Sequence, residues 1–299
     1  MPLRHCLLAV AVAIVWGFNF VVIKSGVGEV PPLMLSGLRF FFAAVPAVLF
    51  LKPPKARRAI VVAYGLTVGV MQFGLLFVAI GIGMPPGLAS LVMQIQAFFT
   101  VAIAALVIGE RPSWVQMTGA AVAFVGIAVI GAGLGSGKLG NTLVLPFLLV
   151  VAASLSWGIA NVVGKSAGPI DALSFIVWSS LAVPLPLLML SCLFEGAPAF
   201  AALAHPSSLL VADVAFLSFG ATLFGFGAWS WLLARYDAAV VAPFSLLVPI
   251  AGFLSAYLVY GEPVSLWEIF GGILILAGLA FNLSGGARRS PLSSSHSHA

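Results

Sequence analysis

The sequence predicts an all-α polytopic membrane protein, with ten transmembrane helices arranged as two inverted-topology five-helix repeats. Three observations carry this. First, 62% of the 299 residues are hydrophobic, against 13 Lys/Arg and 8 Asp/Glu. A soluble domain cannot hide that much apolar surface. Second, ten apolar stretches approach the ~20 residues that a spanning helix needs. Third, short motifs occur twice in the same order.

The ten stretches are Leu7–Ile23, Leu33–Leu51, Ile60–Ile80, Leu88–Ile108, Trp114–Ala132, Leu145–Val163, Leu173–Phe194, Leu209–Leu233, Val240–Tyr260 and Leu266–Leu283. Gly, Pro and charged residues separate them. All read as helices, because a backbone in lipid must satisfy its own hydrogen bonds. The first, after Met1–His5, resembles a signal peptide but is too long and has nine successors, so it reads as a retained helix. The tail from Gly285 is polar and Ser-rich, and reads as a disordered cytoplasmic segment rather than a metal site for His296 and His298.

Trp16–Lys24 reads WGFNFVVIK and Trp157–Lys165 reads WGIANVVGK. Pro31 and Pro46 stand fifteen apart, as do Pro169 and Pro184, and they mark the second and seventh stretches. Gly69 and Gly74 have the spacing of Gly220 and Gly225. Gly109-Glu110, Ser113, Gly119 and Gly126 are echoed by Gly261-Glu262, Ser265, Gly271 and Gly278. Residues 1–132 thus form one five-helix repeat and 145–284 a second, joined by a Gly-rich linker at 133–144. Five is odd, so the second copy crosses the bilayer in the opposite sense. Secondary transporters use that architecture for alternating access around a midplane site.

Basic residues set the orientation. With a cytoplasmic N-terminus, the inside collects Arg4, Lys52, Lys55, Arg57, Arg58, Arg111, Lys165, Arg235, Arg288 and Arg289. The outside collects Lys24 and Lys138, with Arg39 just inside the second span. Both termini are therefore expected in the cytoplasm.

The paired WGxxxVVxK segments, the LRFFFAA of the second span and the two GE…S…G…G junctions resemble the EamA-type branch of the drug/metabolite transporter superfamily. The resemblance covers nearly the whole chain up to the tail. It implies ten helices in a bacterial cytoplasmic membrane and export of small metabolites, often amino acids. Among its members the chain looks most like bacterial aromatic amino-acid exporters. It departs from the pattern at Ala97, where the second copy has Pro249; the first copy lacks that helix-breaking residue.

Polar groups inside hydrocarbon are costly unless paired or facing a cavity, which makes them the substrate-site candidates. Trp16 and Asn19 share a face of the first span, and Trp157 and Asn161 share a face of the sixth. An amide offers donor and acceptor to a zwitterion, and an indole offers an apolar wall with one donor. Helix-to-helix bonding and an interfacial aromatic belt are the alternatives for these four. Gln72, Gln94 and Gln96 are further amides; Gln94 and Gln96, two apart on a 3.6-residue turn, point in different directions, so at most one of them faces a cavity squarely, and the sequence does not say which. Phe244 and Ser245 lie between Pro243 and Pro249, where proline frees carbonyls either to face a solute or merely to bend the helix. Arg39 is read as snorkelling outward or pairing with Glu29 rather than holding a solute carboxylate. Lys24 and Lys165 read as anchors at helix C-termini, and Glu110 and Glu262 as stabilisers of helix N-termini.

Composition and motifs exclude other classes. Basic residues are scattered, so no nucleic-acid partner is indicated. Cys6 and Cys192 suggest no disulfide framework, and no His/Glu cluster, nucleophile elbow or phosphate loop is present. No catalytic residue, metal or cofactor is expected, and oligomeric state is not legible. The lipid bilayer and a small-molecule substrate, an amino acid or related metabolite, are the expected partners. Asp213 and Glu268 sit about one turn into their spans, within reach of an interface, so no acid or histidine is left near the midplane to carry a proton. Export without proton coupling follows, with a sodium site built from carbonyls freed by Pro243 or Pro249 left open. A carrier for a purine or organic cation, a channel, and a lipid-handling protein or membrane-embedded enzyme remain the alternatives.

Overall fold

The computed structural model describes residues 1–136 and 140–287. Lys138 and the tail from Arg288 lie outside the described residues, with the readings made of them. Among the described residues every regular element is helical. Among the described residues nine helices are long and apolar enough to cross a bilayer. They are span one (Leu3–Gly26), three (Arg58–Gly81), four (Pro86–Val107), five (Trp114–Leu134), six (Val144–Lys165), seven (Ala172–Phe194), eight (Ser208–Arg235), nine (Ala242–Tyr260) and ten (Leu266–Ser284). Span two, Pro32–Val48, is shorter at 17 residues. At 1.5 Å per residue it reaches about 25 Å, a little under a hydrocarbon core of about 30 Å.

Irregular windings come in pairs, one per half. Leu66–Phe73 in span three and Phe216–Phe224 in span eight are π-helical. Met93–Ile95 in span four and Ala242–Leu246 in span nine are 3-10 turns. Span four therefore changes winding without a proline at Ala97. Pro249 does not break span nine either. It sits in the first turn of Leu247–Tyr260, where a missing N–H costs nothing. Pro46 and Pro184 lie within spans two and seven. Span seven stops at Ser180 and restarts at Pro184, a first helical position where the missing N–H costs nothing. The helix of span five runs on to Ser136, so Gly133–Ser136 are helix rather than linker.

The duplicated motifs have a packing explanation. Span one lies against span nine, and span six against span four. A Cβ on Gly17 would stand 2.5 Å from Ala251 Cβ and 2.7 Å from the Gly252 nitrogen. A Cβ on Gly158 would stand 2.7 Å from Phe99 Cβ and 3.0 Å from the Thr100 nitrogen. In each copy the Gly of Trp-Gly lets the first helix of one half close on the irregular helix of the other. The Lys that ends each motif then pairs with the Glu that follows the same partner helix. Lys24 meets Glu262, with the Tyr260 ring 4.5 Å from its ammonium, and Lys165 meets Glu110 at 3.0 Å. The two pairs lie at opposite ends of the bundle, as an odd number of crossings per half requires.

These pairs correct the roles assigned to Glu110 and Glu262. The helix caps are made one turn later. Ser113 and Gln116 bond reciprocally, side chain to backbone, at 3.2 and 2.9 Å. Ser265 and Glu268 do the same at 3.2 and 2.7 Å. Each satisfies two orphan N–H groups at a helix start.

Candidate central site and its flanking clusters

Spans two, three, seven and eight enclose a cavity of about 20 Å³. Its wall is aromatic and aliphatic, from Phe40, Tyr64, Val68, Ile176, Val183 and Phe226, with Ser179, Ser180 and Thr222 as polar points. Two spans come from each half, so it lies where an inverted repeat places a substrate site. Gly65 and Gly69 let span three close on span seven: Cβ atoms there would stand 2.2 Å from the Ser179 oxygen and from Val183 Cγ2. A space of this size holds about one water. The Ser179 hydroxyl is buried and has no hydrogen-bond partner among the described residues.

Arg39 lies behind the Thr222 wall. It is 2% exposed, about two turns into span two, and forms no ion pair among the described residues. Its Nε donates to Thr222 Oγ1 at 3.1 Å and a terminal nitrogen donates to Asn19 Oδ1 at 3.1 Å. The guanidinium carbon stands 4.1 Å from the Phe73 ring centroid. Ser218 donates to the Arg39 carbonyl at 2.9 Å, fastening span eight to span two. Arg39 thus neither snorkels nor pairs with Glu29, which instead accepts from Ser207. A cation at the centre of a spanning helix costs about 2.5–3.5 kcal/mol on insertion scales, and neutral partners offset part of that.

A second polar cluster joins span six to span four. Asn161 donates to Gln96 Oε1 at 2.7 Å and to Thr100 Oγ1 at 3.0 Å. Thr100 also lines a larger cavity of about 380 Å³ with Glu110, Arg111, Gln116 and Lys165. Asn19 precedes Lys24 by five residues and Asn161 precedes Lys165 by four. At 1.5 Å per residue each amide lies about 6–8 Å inside the ion pair at its own end. The two clusters therefore straddle the middle of the bundle.

The other sequence candidates fall around these clusters. Trp16 donates to the Ala221 carbonyl at 3.0 Å and packs on Phe226 and Trp229. Trp157 is half-buried against the main apolar core. Gln72 is buried in the π-helical stretch of span three, with Oε1 unpartnered among the described residues. Gln94 is buried in the 3-10 turn of span four. Ser245 donates to the Ala242 carbonyl at 2.7 Å, satisfying a group within the 3-10 turn of span nine. Phe244 packs in a separate cluster with Ala9, Leu232 and Val241. The structure joins Asn19 to Arg39 and Asn161 to Gln96 and Thr100; it does not place all eight candidates on one cavity. Sequence reasoning missed Thr222 and Ser179, since hydroxyls in apolar helices carry no distinguishing signal. Asp213 is buried among the helices beside Ser25, near the end of span one, with Oδ2 unpartnered among the described residues.

The EamA-like transporter family matches residues 3–132 and again 144–284. A probable amino-acid metabolite efflux pump of Salmonella typhimurium is 42% identical over 290 residues, covering 95% of this chain and 96% of that one. A pump of the same description from Escherichia coli is 40% identical over 291 residues, covering 95% and 96%. A probable terminal-alkyne amino-acid exporter of Streptantibioticus cattleyicolor is 27% identical, covering 93% of both chains. One solved structure aligns with a TM-score of 0.63 at 20% identity, over 97% of this chain and 100% of that one, and so shares the fold. The two family matches, the ten apolar helices and the duplicated windings agree: the chain is a multi-pass membrane transporter of the EamA-like family.

Proposed function

We propose that this transporter exports amino acids with large apolar or aromatic side chains from the bacterial cytoplasm, by alternating access and without proton coupling. The observation that carries the reading is the central cavity, whose Phe40, Tyr64 and Phe226 offer apolar contact while Ser179, Ser180 and Thr222 offer hydrogen bonds. The relatives named for amino-acid efflux supply the substrate class. The repeats 1–132 and 145–284 are the rocking units, and parting them enlarges the cavity between them. Asn19 and Asn161 are the amides a solute meets on its way past each half. Trp16, Gln72, Gln94, Trp157, Phe244 and Ser245 belong to the walls of that route. Neither catalysis nor a cofactor is needed for such a cycle.

The termini face the cytoplasm on the bias of basic residues. Cys6, at the start of span one, and Cys192, near the end of span seven, then react with an impermeant thiol reagent from opposite sides. The test of function is efflux of labelled leucine, phenylalanine and tryptophan from liposomes carrying the purified protein. Faster, saturable efflux than from empty liposomes supports the reading. A purine or organic cation moved in preference to all three would replace it.

A further inference from the structure

We propose that Arg39, with Thr222 and Ser179, is the receptor for the solute's carboxylate, which makes a free carboxylate a condition of transport. This rests on the amino-acid reading above and deepens it.

The argument starts from charge. Arg39 is buried inside the spans with only neutral partners: Asn19, Thr222 and the Phe73 face. These two bonds use two of the five N–H donors that a guanidinium carries. A buried cation is normally matched by an anion, and no acidic side chain is within ion-pair distance among the described residues. Structural ties alone do not call for a charge here, because a neutral side chain would bond Asn19 and Thr222 without the desolvation cost. A planar fork suits a carboxylate, which it binds through two parallel bonds.

Position supplies the second strand. Thr222 bonds the guanidinium and also lines the central cavity, and Phe40, next to Arg39 in sequence, lines it too. Ser179 comes from span seven in the other half. Its hydroxyl is buried in the cavity wall and donates to nothing among the described residues. A carboxylate entering the widened cavity meets a cation behind the Thr222 wall and an unused O–H from span seven. It thereby joins the two halves, and its charge is compensated only while it stays between them. The Arg39 charge occurs in one half only. The Pro31-to-Pro169 offset places Val177 at the matching point of span seven, so one carboxylate is bound, not two.

The test compares leucine with leucinamide, run at pH 6 so that the amide's amine stays protonated and leaks slowly. Liposomes carrying the full-length protein are loaded with either solute, and empty liposomes give the background. The wild type should move leucine roughly 10–100-fold faster than leucinamide. Arg39→Gln should collapse that ratio by slowing leucine and sparing leucinamide. A wild-type ratio near one overturns the proposal while leaving the amino-acid reading in place. So does an Arg39→Gln protein that slows both solutes in proportion, which marks a purely structural arginine. A wild type that moves neither solute sinks the amino-acid reading itself, and this assignment with it. If Arg39→Gln does not accumulate as folded protein, Ser179→Ala decides. Its hydroxyl has no hydrogen-bond partner among the described residues, so its removal breaks no bond there. Leucine should slow several-fold with leucinamide unaffected, and an unchanged ratio overturns the proposal.

Discussion

Lys165 holds Glu110 at 3.0 Å across the two five-helix halves, and Lys24 holds Glu262 at the opposite end of the bundle. The Lys165 pair is about half exposed, with relative side-chain exposures of 48% and 52%, and it lines the 380 Å³ cavity. Exposed pairs of this kind contribute about 0–1 kcal/mol. Their interest lies in what they join: the first helix of one half and the end of the irregular helix in the other.

That geometry gives a test of movement. In a background with Cys6→Ser and Cys192→Ser, cysteines replace Lys24 and Glu262, or Lys165 and Glu110. A short bifunctional thiol reagent then bridges one end of the bundle. If the ends part in turn, either bridge stops efflux, and a cleavable reagent restores it. Full-rate transport with both bridges in place would show that the ends stay closed throughout the cycle.

The Trp-Gly glycines should be intolerant of bulk. Gly17→Val puts side-chain atoms where Ala251 and Gly252 already stand. Overpacking of this kind costs about 1–3 kcal/mol. The midpoint of thermal unfolding in detergent should fall accordingly, and Gly158→Val should behave alike. By contrast, a Cβ on Gly83 meets nothing within 4 Å, although its φ of 113° penalises any side chain there.

Asn161→Leu removes both bonds to span four, and leaves Gln96 Oε1 with only the Thr100 hydroxyl at 3.4 Å. An unsatisfied buried amide costs about 1–3 kcal/mol. Transport should drop roughly 5–100-fold if the solute shares this amide, with a smaller loss of stability. Normal specific activity in a destabilised Asn161→Leu protein would assign Asn161 to helix packing alone.

The count and order of the helices were legible in the sequence because lipid imposes length and apolarity on every span. The pairing of the halves was not. WGFNFVVIK and WGIANVVGK stand out as repeats, but nothing in them says that their glycines meet Ala251 and Phe99, since a partner helix leaves no mark on its neighbour's sequence. Arg39 was visible as a charge yet read as snorkelling. Two turns of depth suit a long side chain reaching outward, and the choice turns on Asn19 and Thr222 arriving from other helices. The π-helical stretches lack any proline or charge to announce them. In the span-eight stretch Thr222 bonds the Leu217 carbonyl and Arg39 at once, a tertiary arrangement. Proline misled in the other direction. Pro249 looks like a breaker and sits harmlessly in a first turn, while the winding changes at Ala242–Leu246.

An imposed pH gradient should change the net flux of a neutral amino acid little. Asp213 is the buried acid to watch: it lies between spans one and eight beside Ser25, with an unpartnered oxygen. Solute accumulation above its equilibrium level, driven by a proton gradient and lost in Asp213→Asn, would replace facilitated export with proton coupling.

Counterflow tests the central claim, a carrier with one alternating site, most directly. Liposomes containing the protein are loaded with concentrated unlabelled leucine and diluted into a trace of labelled leucine, with no pH gradient. An alternating-access carrier predicts a transient overshoot, in which label accumulates inside above its external concentration as unlabelled solute leaves. Label that only approaches equality from below, at a rate indifferent to the unlabelled leucine inside, would contradict the account and point to a channel.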